Sequence, residues 1–210
     1  MIPLLGGALC FMAAWLLTEA WRRNALSRRI VDIPNERSSH STPTPRGGGI
    51  AIVVSFSIFL ILFHTLGWID RNLTLAILGG GLLVASVGFF DDHGHVAPRW
   101  RLLAHAAAAS WALWQLGGIP PLQAGSFVWN WSWVGNLIGA TGIIWFINLT
   151  NFMDGIDGLA GAETIFVATS SGLLARIDGM GSPAFSCYLL VAATLGFLVH
   201  NWPPARIFMG

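Results

Sequence analysis

The sequence predicts an all-α polytopic membrane protein with about seven transmembrane helices, its N-terminus periplasmic and its functional loops cytoplasmic. Three observations carry that reading. Of 210 residues, 54% are hydrophobic and only 10% charged, whereas soluble domains carry about a quarter charged residues. The mean hydropathy is +0.64. Five stretches contain no Asp, Glu, Lys or Arg: 1–18, 47–69, 72–90, 102–153 and 179–205. Eleven Trp against one Tyr add an interfacial aromatic bias. The net charge of +1 comes from few, segregated groups and identifies no partner; no nucleic acid is expected. Cys10 and Cys187 both fall inside apolar runs, where small buried side chains are expected rather than a disulfide or a metal pair.

A helix needs about 20 apolar residues to cross the hydrocarbon core. The first run lacks a basic start and a small-residue cleavage site before Arg22, Arg23, Arg28 and Arg29, so it reads as a retained span near 3–20 and not as a signal peptide. The next two runs give spans near 48–67 and 73–90. The run 102–153 has 52 residues, enough for crossings near 102–117 and 133–150, with "GGIPPLQAG" (117–125) as the turn. Two more spans follow near 158–175, which contains Glu163, and near 184–200. All of 1–210 reads as one transmembrane domain.

Arginine placement sets the orientation. With the first connection cytoplasmic, that side holds nine arginines (22, 23, 28, 29, 37, 46, 99, 101 and 206), and the other holds Arg71 and Arg176. Four segments then emerge together in the cytoplasm: "DIPNERSSHSTPTPRGGG" (32–49), "DDHGHVAPRWR" (91–101), "NLTNFMDGIDG" (148–158) and "NWPPARIFMG" (201–210).

Each segment carries polar groups that need a reason. Asp91 and Asp92 end an apolar span; adjacent carboxylates repel, so a cation such as Mg²⁺ or an arginine should hold at least one. Asn148, Asn151, Asp154 and Asp157 recur every third residue, which in a helix makes one polar stripe on an apolar element. Three glycines follow Arg46 and open the second span, so their N–H groups form a candidate anion site, with Arg37 and His40 as further phosphate contacts. His93 and His95 read as solvated loop residues and Glu163 as a supporting group. The prolines at 203 and 204 stop a helix and present Arg206 and Phe208 to the cytoplasm, where an exposed Phe suits either a flat base or the lipid interface.

In this order and on one face, "RSSHSTPTPRGGG", "FFDD", "NLTNFMDGIDGLAG" and "PPARIFMG" resemble the polyprenyl-phosphate N-acetylhexosamine-1-phosphate transferases. That family, glycosyltransferase family 4, includes the bacterial phospho-MurNAc-pentapeptide transferase and the enzymes that start O-antigen and enterobacterial common antigen. "PTPRGGG" looks like the UDP-GlcNAc-type branch. The resemblance implies transfer of an N-acetylhexosamine-1-phosphate from a UDP-sugar to undecaprenyl phosphate, with Mg²⁺ (or Mn²⁺) as cofactor, in the bacterial inner membrane among its lipids. A homodimer is implied by analogy alone. By the same resemblance Asp91 is the base or phosphate-activating group and Asp92 a metal or supporting carboxylate. Asp157 recognises the uracil; Asn148, Asn151 and Asp154 line the nucleotide and metal region; Arg37 belongs to the uridine pocket; Arg46 meets phosphate and Phe208 stacks on the base.

One departure stands out. In the family an aspartate of the metal site follows "FMG", and later spans carry a His-rich loop; the chain stops at Gly210, which predicts a C-terminally truncated product. The competing readings are a catalytically inactive remnant and a transporter. Transporters place their acids near the bilayer midplane, and here the acids sit at span ends.

Overall fold

The computed structural model describes residues 2–32, 43–94, 96–154 and 156–210. Arg37, His40, His95 and Gly155 lie outside the described residues. Among the described residues seven helices occupy the seven expected positions: α1 (Ile2–Arg28), α2 (Gly49–Thr65), α3 (Arg71–His93), α4 (Pro98–Leu116), α5 (Ser132–Met153), α6 (Leu159–Ile177) and α7 (Gly181–Asn201). Four of them, α1, α3, α5 and α7, are long and apolar enough to cross a membrane. This is fewer than the seven spans expected. The apolar helix α2 has only 17 residues, while α4 opens with Arg99 and Arg101 and α6 carries Glu163 and Arg176. Two short antiparallel ribbons complete the elements: β1 (Val31–Asp32) with β2 (Thr44–Pro45), and β3 (Leu122–Ala124) with β4 (Phe127–Trp129).

The chain divides into two compact units, Met1–Asp70 with Asn151–Gly210, and Arg71–Thr150. In the first unit α7 packs against α1, α2 and α6. Small residues make this possible. On α1 the buried positions Gly6, Cys10, Ala14 and Thr18 recur every fourth residue, forming one smooth stripe. Gly196 of α7 meets it so closely that a Cβ there would lie 2.5 Å from the Phe11 carbonyl oxygen and 2.8 Å from the Trp15 nitrogen. Between helices in lipid, such close backbone approach replaces the hydrophobic drive that water supplies elsewhere. Large side chains point outward instead, as with Leu4, Phe166 and Ile177.

In the second unit α3 packs on α4. Trp111 lies over Gly79 and donates its indole N–H to the Leu75 carbonyl at 2.7 Å. Pro98 starts α4, where its missing N–H costs nothing, and Gly117 ends it in the left-handed region at φ 77°. Hydroxyls within the helices bond back to the carbonyl four residues earlier, as Thr18, Ser55, Ser86, Thr141 and Thr164 do. Each donor is thereby satisfied without water.

Candidate active site

In the first unit the site is built by a returning tail. After α7 ends at Asn201, Pro203 and Pro204 prevent further helix and residues 202–210 fold back. The Phe208 N–H donates to the Pro45 carbonyl at 2.8 Å; Gly48 N–H donates to the Phe208 carbonyl at 2.9 Å and Gly49 N–H to that of Met209 at 2.7 Å. The anion site expected at the three glycines is therefore occupied by the chain itself. Ile50 and Ala51 donate to the Gly47 and Gly48 carbonyls, so the first-turn donors of α2 are committed. The glycines serve close approach: Gly47 sits at φ 86°, and a Cβ on Gly48 would meet Phe197 Cε2 at 2.6 Å. Arg46 is half-buried here, its carbonyl accepting the Trp21 indole N–H at 3.1 Å.

The same tail holds the paired aspartates. Helix α5 ends at Met153, so Asp154 and Asp157 stand in the turn before α6 and not on a continued helical stripe. This corrects the four-residue register; only Asn148 and Asn151 share the helix, both exposed. The Asp157 carboxylate accepts the Ala205 N–H at 2.9 Å through Oδ2, and Asp154 accepts the Gly210 N–H at 3.0 Å. The second Asp157 oxygen, Oδ1, is buried with no hydrogen-bond partner among the described residues. An acceptor in that state is costly unless something donates to it.

Asn201 was not singled out in the sequence, yet it locks the arrangement. Its Oδ1 accepts the Gly158 N–H at 3.1 Å and its Nδ2 donates to the Ile207 carbonyl at 2.9 Å, both buried. Beside it, His200 is buried, stacks on Trp15 and brings Nδ1 within 3.8 Å of Glu19, whose carboxylate also holds Arg22 and Arg23. The readable signal was a His–Asn pair at the end of an apolar helix, where polar side chains need partners. Phe208 is corrected: it is 7% exposed, part of the apolar interior with Ile207 and Phe197, not a ring offered to solvent. Glu163 is half-buried, and its Oε2 has no hydrogen-bond partner among the described residues.

Asp91, Asp92 and Asn148 belong to the second unit. Asp91 is held on both oxygens: Oδ2 accepts Arg101 Nη1 at 2.8 Å and Oδ1 accepts the Val96 N–H at 3.0 Å. Arg101, which also contributes to the positive charge of this stretch of the sequence, is the cation that holds Asp91. Asp92, the next residue on α3, is half-buried. Asn148 donates to the Ile144 carbonyl at 2.8 Å and faces the buried His105 at 3.5 Å.

Carboxylate oxygens suit Mg²⁺, which takes one or two carboxylates and completes its shell with water and substrate phosphates. No group of three His, Cys, Asp or Glu side chains gathers among the described residues. Asp92 in the second unit and Asp154 in the first are each hard oxygen donors of the kind such an ion takes.

A profile of glycosyl transferase family 4 matches residues 74–210. The decaprenyl-phosphate N-acetylglucosaminephosphotransferase of Mycobacterium leprae (strain TN) is 31% identical over 198 residues, covering 86% of this chain and 50% of that protein. The phospho-N-acetylmuramoyl-pentapeptide-transferase of Moorella thermoacetica is 38% identical over 182 residues, 80% of this chain and 56% of its own length. The chain spans about half the length of the curated relatives it matches.

Proposed function

The chain belongs to glycosyl transferase family 4, the polyprenyl-phosphate sugar-1-phosphate transferases, and from that premise we propose that it serves transfer of an N-acetylhexosamine-1-phosphate from a UDP-sugar to undecaprenyl phosphate. UMP leaves, and the product starts a lipid-linked glycan such as an O-antigen in the bacterial inner membrane. The observation that carries this reading is the Asp157 turn. Its carboxylate is held by one oxygen and keeps the other buried, with no hydrogen-bond partner among the described residues. The imide N–H of uracil is a donor of the kind that oxygen lacks.

Asp154 and Asn151 then face the rest of the nucleotide, and Arg46 the phosphates. Phe208 supports the tail from inside. In the second unit Asp91 is the group that activates the lipid phosphate, oriented by its hydrogen bond from Arg101, and Asn148 is a further candidate nucleotide contact. Asp154 in the first unit and Asp92 in the second are each candidate carboxylates for Mg²⁺, with Mn²⁺ able to replace it. When bound, the ion screens the pyrophosphate charge that would repel a second anion. A polyprenyl acceptor stays in the bilayer, which accounts for a site at the ends of apolar helices.

The test is transfer of labelled sugar-1-phosphate from UDP-GlcNAc to undecaprenyl phosphate with Mg²⁺. It is run on this chain and on this chain joined to the remaining half of the Mycobacterium leprae relative. Transfer in either supports the reading. No transfer in both, with no UMP binding by either, overturns it.

A further inference from the structure

We propose that the β3–β4 hairpin is a membrane-interface anchor, lying among lipid headgroups at the end of the second unit opposite Asp91. The strands pair Leu122 with Trp129, Gln123 with Val128 and Ala124 with Phe127. Side chains alternate across a strand, so Leu122, Ala124, Phe127 and Trp129 share one face, entirely apolar, and Gln123 with Val128 the other. Every residue of both strands is exposed. A two-stranded hairpin alone in water is marginal at best, so this apolar face needs a surface to lie on.

The surroundings identify that surface as lipid. No Asp, Glu, Lys or Arg occurs from residue 102 to residue 153, a length that includes α4 after its arginines, the hairpin and all of α5. Trp131 stacks on Trp129 with ring centroids 5.1 Å apart. Exposed apolar side chains follow at Trp133, Leu137 and Ile138 of α5, a helix long and apolar enough to cross a membrane. Depth follows from the backbone. A two-stranded ribbon has outer edges with unpaired N–H and C=O groups, which hydrocarbon cannot satisfy. Indoles favour the same level, with the ring in the apolar layer and the N–H among headgroups. The hairpin therefore lies flat in the interface, neither inserted in the core nor free in water, and fixes the height of α4 and α5.

The experiment places a nitroxide at Phe127→Cys or at Gln123→Cys, in a chain carrying Cys10→Ala and Cys187→Ala, reconstituted in phosphatidylcholine vesicles. At 127 collisions with oxygen should exceed those with a nickel chelate severalfold, and at 123 that ratio should fall towards its value in water. A nickel-dominated signal at 127 means the hairpin stands in water and overturns the proposal. Few collisions with either probe mean a protein surface, such as a second copy, covers the face, and overturn it equally. Should the labelled chains misfold, the chain without nitroxide in vesicles brominated near the headgroup gives an independent reading. Trp129→Phe with Trp131→Phe should then lower the quenched fraction of Trp emission, and an unchanged fraction would refute the anchor.

Discussion

Asn201 at the end of α7 and Gly158 at the start of α6 are joined by a buried hydrogen bond of 3.1 Å across 43 residues of chain. With its second bond to Ile207, the Asn201 amide ties the Asp157 turn to the returning tail. Asn201→Leu removes both bonds and leaves a buried N–H and a buried carbonyl unpaired, each costing about 1–3 kcal/mol. The variant should melt well below the parent in detergent. Asn201→Asp keeps the acceptor and loses the donor, so it should fall between the two. A melting point for Asn201→Leu equal to the parent's would show that the bridge contributes nothing.

The glycine run makes a second case. A Cβ on Gly48 would lie 2.6 Å from Phe197 Cε2 and 2.9 Å from the Phe208 carbonyl oxygen, and Phe197 is fully buried with no room to retreat. Gly48→Ala should therefore cost about 1–3 kcal/mol, the usual range for overpacking. Gly7→Ala is the matched control: nothing lies within 4 Å of its Cβ position on α1. There the better helix propensity of Ala should leave stability equal or slightly higher. Equal melting points for the two variants would refute the tail packing.

These residues show what was legible and what was not. The helices could be read because apolar runs bounded by charge are a local signal, and α1 to α7 stand where the runs lie. The glycines after Arg46 were legible as a place of close backbone approach, but their partner is the chain's own tail, about 160 residues later, and nothing local announces it. The three-residue spacing of Asn148, Asn151, Asp154 and Asp157 imitates a helix that stops at Met153, because the turn beyond it requires Gly158 at φ 73°. Phe208 looked exposed because it follows two prolines in a polar tail; its burial comes from hydrogen bonds to residues 45 and 48. Nothing local marks Asn201, and Arg101 reads from the sequence only as positive charge, since the partners of both are set by folding.

Arg101 and Asp91 separate a functional effect from a structural one. Their side chains are 29% and 24% exposed, so the ion pair should contribute no more than about 1 kcal/mol. Arg101→Gln should accordingly shift melting little. If Asp91 activates the lipid phosphate, the same change should lower the turnover rate far more than it raises KM for the UDP-sugar, with Arg101→Lys recovering part of the loss. A transfer rate unaffected by Arg101→Gln would remove Arg101 from the site.

Asp157 allows the nucleotide reading to be tested without chemistry. In Asp157→Asn the side-chain oxygen can still accept the Ala205 N–H, the bond that Oδ2 makes at 2.9 Å. The turn should therefore hold, and the melting point should move little. What changes is the buried Oδ1, an acceptor with no donor among the described residues, which becomes an N–H₂ group. Two donors would then face each other where the uracil imide approaches. A hydrogen bond to a charged group contributes about 1.5–3 kcal/mol, so UMP affinity should fall about 10- to 100-fold. Measured with uridine in EDTA, where neither phosphate nor metal contributes, the loss should persist. Binding of uridine equal to the parent's would take uracil away from Asp157, and a loss seen only with UMP and Mg²⁺ would move the residue to the metal.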